Sequence, residues 1–190
     1  MGQDEFGALL DAARQGDPAA IATIWRVEQP RLLRVLRAEV GDAAEDVASQ
    51  TWLELIGALQ RFRGDERGFR ALLFTIARRR VADHRRTQRR KPAAATAPAD
   101  LQQLRSGADA RASHGSDVLA RLDSEQAVTA LVDLLTPEQA EVVLLRVVAG
   151  LSVGEVAAIT GRSEGAIRVQ QHRALRRLAS ALGKEMPDEV

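Results

Sequence analysis

Apolar residues recur along this chain at intervals of three and four positions, the spacing that places side chains on one face of an α-helix. No segment shows the strict alternation of apolar and polar residues that predicts a β-strand. In the first half, glycines and capping residues divide the periodic stretches into four predicted helices. Their approximate bounds are 4–15, 18–40, 42–59 and 69–90.

Start signals support these bounds. Asp17 precedes Pro18, so that a side-chain cap is followed by proline at the first helical position. Asp42 and Glu45 have the spacing of a capping box, which would open the third helix. Pro30 falls inside the second helix, where proline can introduce a kink.

Residues 92–117 interrupt the periodicity with a stretch rich in Ala, Pro, Ser and Gly. Leu101 and Leu104 are the large apolar residues in it, too few to bury enough surface to hold one structure, so we expect a flexible linker. Helical periodicity returns at Val118. The predicted fold is all-α, with two small helical domains, at 1–91 and 118–190, joined by the linker.

The second domain contains the spacing of a helix-turn-helix. Ala157 is small, where two helices must cross closely, and Gly161 follows at a turn that needs positive φ. Ile167 comes six residues later as an apolar anchor on the second helix. This arrangement is typical of proteins that place the second helix in the major groove of duplex DNA.

Caps frame this unit. Thr136 precedes Gln139, and Ser152 precedes Glu155, by the three residues of a capping box. Ser163 caps the second helix. Three helix starts are therefore predicted in the region around the motif.

The second helix of the motif has side chains suited to DNA. Ile167, Ala174, Leu175 and Leu178 face inward on a helical wheel, and Gln171 falls on the same side, where it must find a hydrogen-bonding partner. The outward positions can reach base edges and phosphates. They are Arg168, Val169, His172, Arg173, Arg176 and Arg177.

The net charge of +1 conceals a strong segregation, because residues 61–91 hold 12 Lys+Arg against 3 Asp+Glu. Such a block can neutralise phosphates and attract nucleic acid. Phe62 and Phe69 lie beside arginines and could stack on an unpaired base, although core packing is the simpler role for each ring. Trp25 and Trp52 lie at helical spacings among aliphatic residues, which predicts that both belong to the core.

Catalysis finds little support in the residue pattern. The chain has no Cys, which excludes disulfides and zinc fingers and suits a reducing cytoplasm, and the three His residues have no companions at metal-ligand spacing. We expect no metal, no cofactor and no enzymatic activity. An alternative, a helical nuclease using Asp65, Glu66 and His84, lacks such spacing. No apolar run reaches the length of a bilayer span, and the start of the chain has no signal-peptide pattern, so no membrane insertion is expected.

Three strings together resemble the extracytoplasmic-function (ECF) sigma factors of bacterial RNA polymerase. AEDVASQTWLELIGAL is similar to the family's AEDVxQExFLxxW helix, and RFRGDERGFRALLFTIARRRVADHRR is similar to its FRGxSxFRTWLxxIARNxxxDxxR loop and helix. LTPEQAEVVLLRVVAGLSVGEVAAITGRSEGAIRVQQHRAL resembles the domain that reads the upstream promoter element. The strings occur in the family's order on either side of a low-complexity segment.

The resemblance implies roles for matching positions. The expected contacts with core polymerase are Asp46, Ser49 and Gln50. Those with the minus-10 element are Arg61, Phe62, Arg63, Gly64 and Asp65 in a loop, and Arg78, Arg79, Arg80, Arg85 and Arg86 on the next helix. Those with the minus-35 element are Ser163, Glu164, Arg168, Val169, His172 and Arg173. The implied partners are core RNA polymerase, promoter DNA as duplex and as melted non-template strand, and an anti-sigma factor.

Four positions depart from the family's pattern. Leu72 stands where Trp is usual, Arg79 where Asn is usual, and Ser49 where Gln is common. Gln171 replaces an aliphatic residue. An alternative that uses the same motif is a helix-turn-helix regulator that binds duplex DNA without polymerase, although such a protein would not need the basic segment at 61–91.

Overall fold

The computed structural model describes residues 3–90 and 124–183, and within these ranges every regular element is helical. The predicted linker at 92–117 and the expected return of periodicity at Val118 lie outside the described residues. The all-α class and the helix-turn-helix are confirmed.

The first half forms four helices in the order expected. They are α1 (Gln3–Arg14), α2 (Pro18–Val40), α3 (Ala44–Leu59) and α4 (Glu66–Arg90). The second half adds α5 (Ser124–Val132), α6 (Pro137–Val143), α7 (Val153–Thr160) and α8 (Glu164–Ala181). A five-residue π-helical segment, Leu144–Val148, follows α6 directly. The helix α2 runs through Pro30 as one element.

Four of the predicted helix starts are confirmed by their hydrogen bonds. Asp17 accepts from the amide of Ala19 at 2.9 Å, with proline at the start of α2. Both capping boxes of the second half form in full. The Thr136 side chain accepts from the amide of Gln139, and the Gln139 side chain accepts from the amide of Thr136. Ser152 and Glu155 make the same two bonds. The hydroxyl of Ser163 accepts from the amide of Ala166 at 3.2 Å.

The predicted capping box at Asp42 and Glu45 is wrong. The segment Gly41–Ala43 forms a 3-10 turn, and α3 begins after Ala43, whose helical backbone makes no side-chain cap bond. An N-cap needs an extended backbone, which a residue inside a 3-10 turn does not have. Glu45 instead pairs with Arg37 of α2 at 2.9 Å.

The helix α4 begins three residues before the predicted position. Asp65 is the reason, because its side chain accepts from the amide of Gly68 at 2.9 Å and its carbonyl accepts from that of Phe69 at 2.9 Å. The carboxylate therefore caps the helix that contains the basic segment.

The two tryptophans differ in environment. Trp52 is buried as predicted, and its indole N–H donates to Gln29 Oε1 at 2.6 Å. Trp25 is 44% exposed, so its prediction as a core residue is wrong. Ile24, Glu28 and Leu32 occupy the inner row of α2 at intervals of four, which turns the neighbouring Trp25 toward solvent.

Glu28 is a fully buried carboxylate between two helices. Arg31 donates to its Oε1 at 3.2 Å and Arg70 of α4 does so at 3.0 Å, while Arg70 also pairs with Glu66 at 2.5 Å. A buried charge is tolerated when it is paired in this way, so the cluster ties α2 to α4.

The two halves pack directly against each other. The helix α7 lies against α4, and α5 lies against α2. Buried residues of both halves form one continuous apolar cluster, in which Phe74, Ala77 and Val81 join Leu144 and Val156. The described parts of the chain therefore share a core.

Replacement of Ile167 by alanine should destabilise the protein by about 2–5 kcal/mol, because this fully buried side chain joins α8 to the core. Urea or thermal unfolding measures the loss. Val169→Ala, two residues along on the exposed face, is the matched control and should change stability by less than about 0.5 kcal/mol. Equal losses in the two variants would contradict the packing.

Candidate nucleic-acid interface

The turn between α7 and α8 has the geometry that the sequence pattern predicts. Gly161 adopts φ 70°, a left-handed conformation that glycine reaches without strain, and its amide donates to the Ala157 carbonyl at 2.9 Å. Ile167 is fully buried on the inner face of α8. These contacts fix the angle at which α8 presents its outer face.

The residues predicted to read the minus-35 element are exposed together at the start of α8 or just before it. They are Ser163, Glu164, Arg168, Val169, His172 and Arg173. Arg168 pairs with Glu164 one turn earlier at 2.7 Å. An exposed pair at this spacing is weak, so the Arg168 guanidinium can exchange this carboxylate for another acceptor at little cost.

Gln171 finds the partner that its inward position requires. It is half-buried and accepts from Arg146 Nε at 3.0 Å, and Arg146 also donates to the carbonyl of Leu151. The pair joins α8 to the π-helical segment. Arg146 was missed by the sequence reasoning, although a lone charge inside the apolar run LLRVV was a signal.

The loop before α4 is held by its own side chains. Phe62 is half-buried and packs edge-to-face on Phe69, with ring centroids 6.4 Å apart. The Arg14 guanidinium lies 5.5 Å from the Phe62 ring centroid and donates to the carbonyl of Gly64 at 2.8 Å. The ring of Phe62 therefore packs between Phe69 and the loop, and Phe69 itself is buried in the core.

Gly64 is the point where the loop passes closest to this ring. A Cβ built there would lie 2.7 Å from Cζ of Phe62. Any side chain here would force the Phe62 ring or the loop to move, so glycine allows the loop to follow this tight path. Arg61, Arg63 and Asp65 are exposed around it.

The five α4 arginines expected at the minus-10 element do not lie on a single face. Arg79 and Arg80 reach α3, where Glu54 pairs with both, the Arg80 pair at 2.7 Å. Arg78 reaches Glu141 of α6, Arg85 reaches α2, and Arg86 lies 3.8 Å from Asp83 of its own helix. Every one of the five therefore has a carboxylate nearby.

Glu39 of α2 is the partner of Arg85. Burial raises the pKa of the Glu39 carboxyl, and Glu141 of α6 acts in the same direction, while the charges of Arg85 and Arg78 oppose the rise. Because the folded state holds this proton more tightly than the unfolded chain, the carboxyl favours the fold at low pH, and the contribution is lost as the pH rises through the raised pKa.

The residues predicted to contact polymerase form an exposed row on α3. Asp46, Ser49 and Gln50 are all exposed, and the same face continues into Leu53, which is 73% exposed, and Ile56. Adjoining apolar side chains on a surface are a candidate contact site for a partner. The sequence reasoning missed Leu53 and Ile56, because their spacing resembles that of core positions.

No group of three or more His, Cys, Asp or Glu residues is arranged to hold a metal ion in the part of the chain that the structure describes. Among the same residues, no helix combines the length and apolar character that crossing a bilayer requires.

A helix-turn-helix and an arginine-rich helix in one chain are typical of a protein that binds nucleic acid. A sequence profile described as ECF sigma factor matches residues 3–184, and the chain belongs to this family.

Curated relatives agree with this assignment. The chain is 38% identical over 185 residues to the ECF RNA polymerase sigma factor SigD of Mycobacterium tuberculosis, covering 94% of this chain and 84% of the relative. It is 36% identical over 181 residues to the ECF RNA polymerase sigma factor ShbA of Streptomyces griseus, covering 91% and 93%.

Solved structures share the fold. CnrH in complex with the cytosolic domain of CnrY superposes with a TM-score of 0.64 at 21% identity, covering 93% of this chain and 96% of that one. The sigma factor RpoE in complex with the anti-sigma factor NepR, from Bartonella quintana, gives 0.63 at 22% identity, covering 87% and 98%.

Replacement of Gly64 by alanine should destabilise the protein by about 1–3 kcal/mol, because the new Cβ forces the Phe62 ring or the loop to move. Thermal unfolding measures the change. Gly57→Ala, in α3 where nothing lies within 4 Å, is the control and should stabilise by roughly 0.5–1 kcal/mol. Tolerance of alanine at both positions would show that the loop does not depend on this contact.

Proposed function

We propose that this protein is a dissociable initiation factor that binds core RNA polymerase and directs it to promoters with two separated elements. The observation that supports this most is the presence, in one chain, of an exposed reading face on α8 and a rigid glycine-containing loop leading into the basic helix α4. The factor has no catalytic activity of its own and works in the cytoplasm with the polymerase.

At the minus-10 element the loop at 61–68 captures a base that has left the duplex. The loop is already held by Phe62 and Arg14, so little conformational entropy is lost when DNA binds. Unstacking costs on the order of a few kcal/mol per step, which capture of the extruded base offsets without ATP. The arginines of α4 neutralise phosphates of the adjoining duplex and of the non-template strand.

At the minus-35 element α8 enters the major groove. Arg168 and His172 donate to base edges there, and the exposed methyl groups of Val169 suit contact with a thymine methyl. Ser163 and Arg173 reach the phosphates beside the groove, and Glu164 can accept from a cytosine amino group.

The row of Asp46, Ser49, Gln50 and Leu53 on α3 is the proposed docking surface for the polymerase. Charge at its start steers the encounter, and apolar area further along contributes to affinity. Two of the similar solved structures are complexes with CnrY and with the anti-sigma factor NepR. A protein of that kind is the proposed inhibitor of this chain.

Run-off transcription with purified core polymerase and a promoter library tests the proposal. The protein should direct initiation at a subset of promoters, and Asp46→Lys should weaken polymerase binding by about tenfold, since it reverses a charge on the docking row. Glu5→Lys, an equal charge reversal on α1, is the control. Tight specific binding to duplex DNA without polymerase would favour the rival, a polymerase-independent regulator.

Arg168→Ala should cost about 1–3 kcal/mol in affinity for the upstream element and relax the preference at one base pair, because it removes a contact to a base edge. Binding of the polymerase complex to a set of single-base promoter variants measures both effects. An equal loss on every sequence would make Arg168 a phosphate contact instead.

A further inference from the structure

Arg14, the last residue of α1, contacts the loop that precedes α4. Its Nη2 donates to the carbonyl of Gly64, fifty positions away in the sequence, at 2.8 Å, and its Cζ lies 5.5 Å from the centroid of the Phe62 ring. Its Nη1 pairs with Asp11, one turn earlier in α1, at 2.6 Å. One guanidinium group therefore binds the backbone of the loop and covers the ring against which Gly64 packs.

The chemistry of arginine suits this position. The guanidinium group is planar, so it can lie over an aromatic ring while its N–H groups donate to acceptors around its edge. The ammonium group of lysine is a compact charge that does not offer this fork of donors. The side chain of Arg14 is 19% exposed, so its bonds are partly sheltered from water.

The rest of α1 is anchored beside the same loop. Phe6 is fully buried and packs edge-to-face on Phe69 of α4, with ring centroids 5.6 Å apart, and Phe69 is also the ring on which Phe62 packs. The side chains of Arg63 and Asp65 bond to residues no more than three positions away. Arg14 differs from them, because its bond ties the loop to a separate helix.

We infer that Arg14 is a positioning residue for the loop at 61–68, which makes α1 a determinant of promoter melting. The inference rests on the proposed capture of an extruded base by this loop. Arg14 holds the loop in the shape that receives the base and does not itself touch the base. Its loss weakens melting, because the loop must then be ordered when DNA binds. Polymerase docking on α3 and upstream reading by α8 do not depend on it.

Limited trypsin digestion of the free full-length protein tests whether Arg14 holds the loop. Trypsin cuts after arginine, and Arg61 and Arg63 are exposed natural sites in the loop. Cleavage follows the population of locally opened molecules when opening and closing are fast. Arg14→Ala should therefore raise the rate of cleavage at these two sites by about three- to tenfold, because it removes a charge-assisted hydrogen bond and a cation–π contact. Mass spectrometry of the fragments measures the rate.

Arg34→Ala is the matched control, because it removes an exposed arginine of α2 that donates to the carbonyl of Pro30 in its own helix. It should leave cleavage in the loop unchanged. Arg14→Lys keeps the charge and should give a smaller rise than Arg14→Ala, and it decides the question if the alanine variant does not fold. Cleavage rates in both Arg14 variants equal to that of Arg34→Ala would overturn the inference.

Run-off transcription at saturating core polymerase separates melting from docking. On a duplex promoter that the natural protein uses, Arg14→Ala should lower the yield about three- to tenfold relative to Arg34→Ala. The same promoter with template-strand mismatches across the minus-10 element is already open and keeps the non-template sequence. There the loss should shrink to less than about twofold, because no unstacking has to be offset. An equal loss on both templates would overturn the positioning role.

The inference and the proposed function fail in different measurements. If the natural protein directed no initiation at any promoter, the proposed function would be refuted. Trypsin digestion of the free protein would still decide whether Arg14 holds the loop.

Discussion

The packing of α4 against its neighbours is the constraint on which the other features depend. One stripe of this helix, from Phe69 through Leu73 to Val81, fills the core of the first half, and α7 of the helix-turn-helix lies against the same helix. Since α4 also holds the basic side chains, its orientation sets where the positive charge faces. Asp65 determines where the helix starts, and the buried Glu28 cluster fixes it to α2.

The arginines of α4 show how a strongly basic helix is accommodated within a folded chain. An unpaired row of guanidinium groups would repel itself, and carboxylates from α2, α3 and α6 reduce that repulsion. Exposed pairs of this kind contribute little stability, so they can be exchanged for phosphates at small cost. The same weakness that makes them poor determinants of the fold makes them suitable for binding that must be reversible.

Local signals in the sequence predicted most of the fold, because helix periodicity and caps act over a few residues. The boxes at Thr136 and Ser152 and the turn at Gly161 formed as expected. The failures have physical causes in the tertiary structure: a 3-10 turn displaced the cap at Asp42, and the inner row of α2 left Trp25 at the surface.

The candidate site was predictable in its residue types and less so in its contacts. The exposed face of α8 proposed to read DNA follows from helical spacing, and its six residues are all exposed. The support of the loop by Arg14, fifty positions away from Gly64, and the pairing of Glu54 with two arginines required the three-dimensional structure. The contact between Gln171 and Arg146 was partly predictable. Each is a polar residue among apolar ones and so requires a hydrogen-bonding partner, but the structure was needed to show that they bond to each other.

The unequal burial of the two indoles provides an intrinsic optical signal. The sequence has no tyrosine, so near-ultraviolet emission comes from Trp25 and Trp52 alone, and both belong to the first half. The buried ring should emit at shorter wavelength and the exposed ring at longer wavelength. Trp25 lies one turn from Gln29, a residue that joins α2 to α3. Quenching of the long-wavelength emission would therefore report, without any added dye, a partner that covers this side of α2.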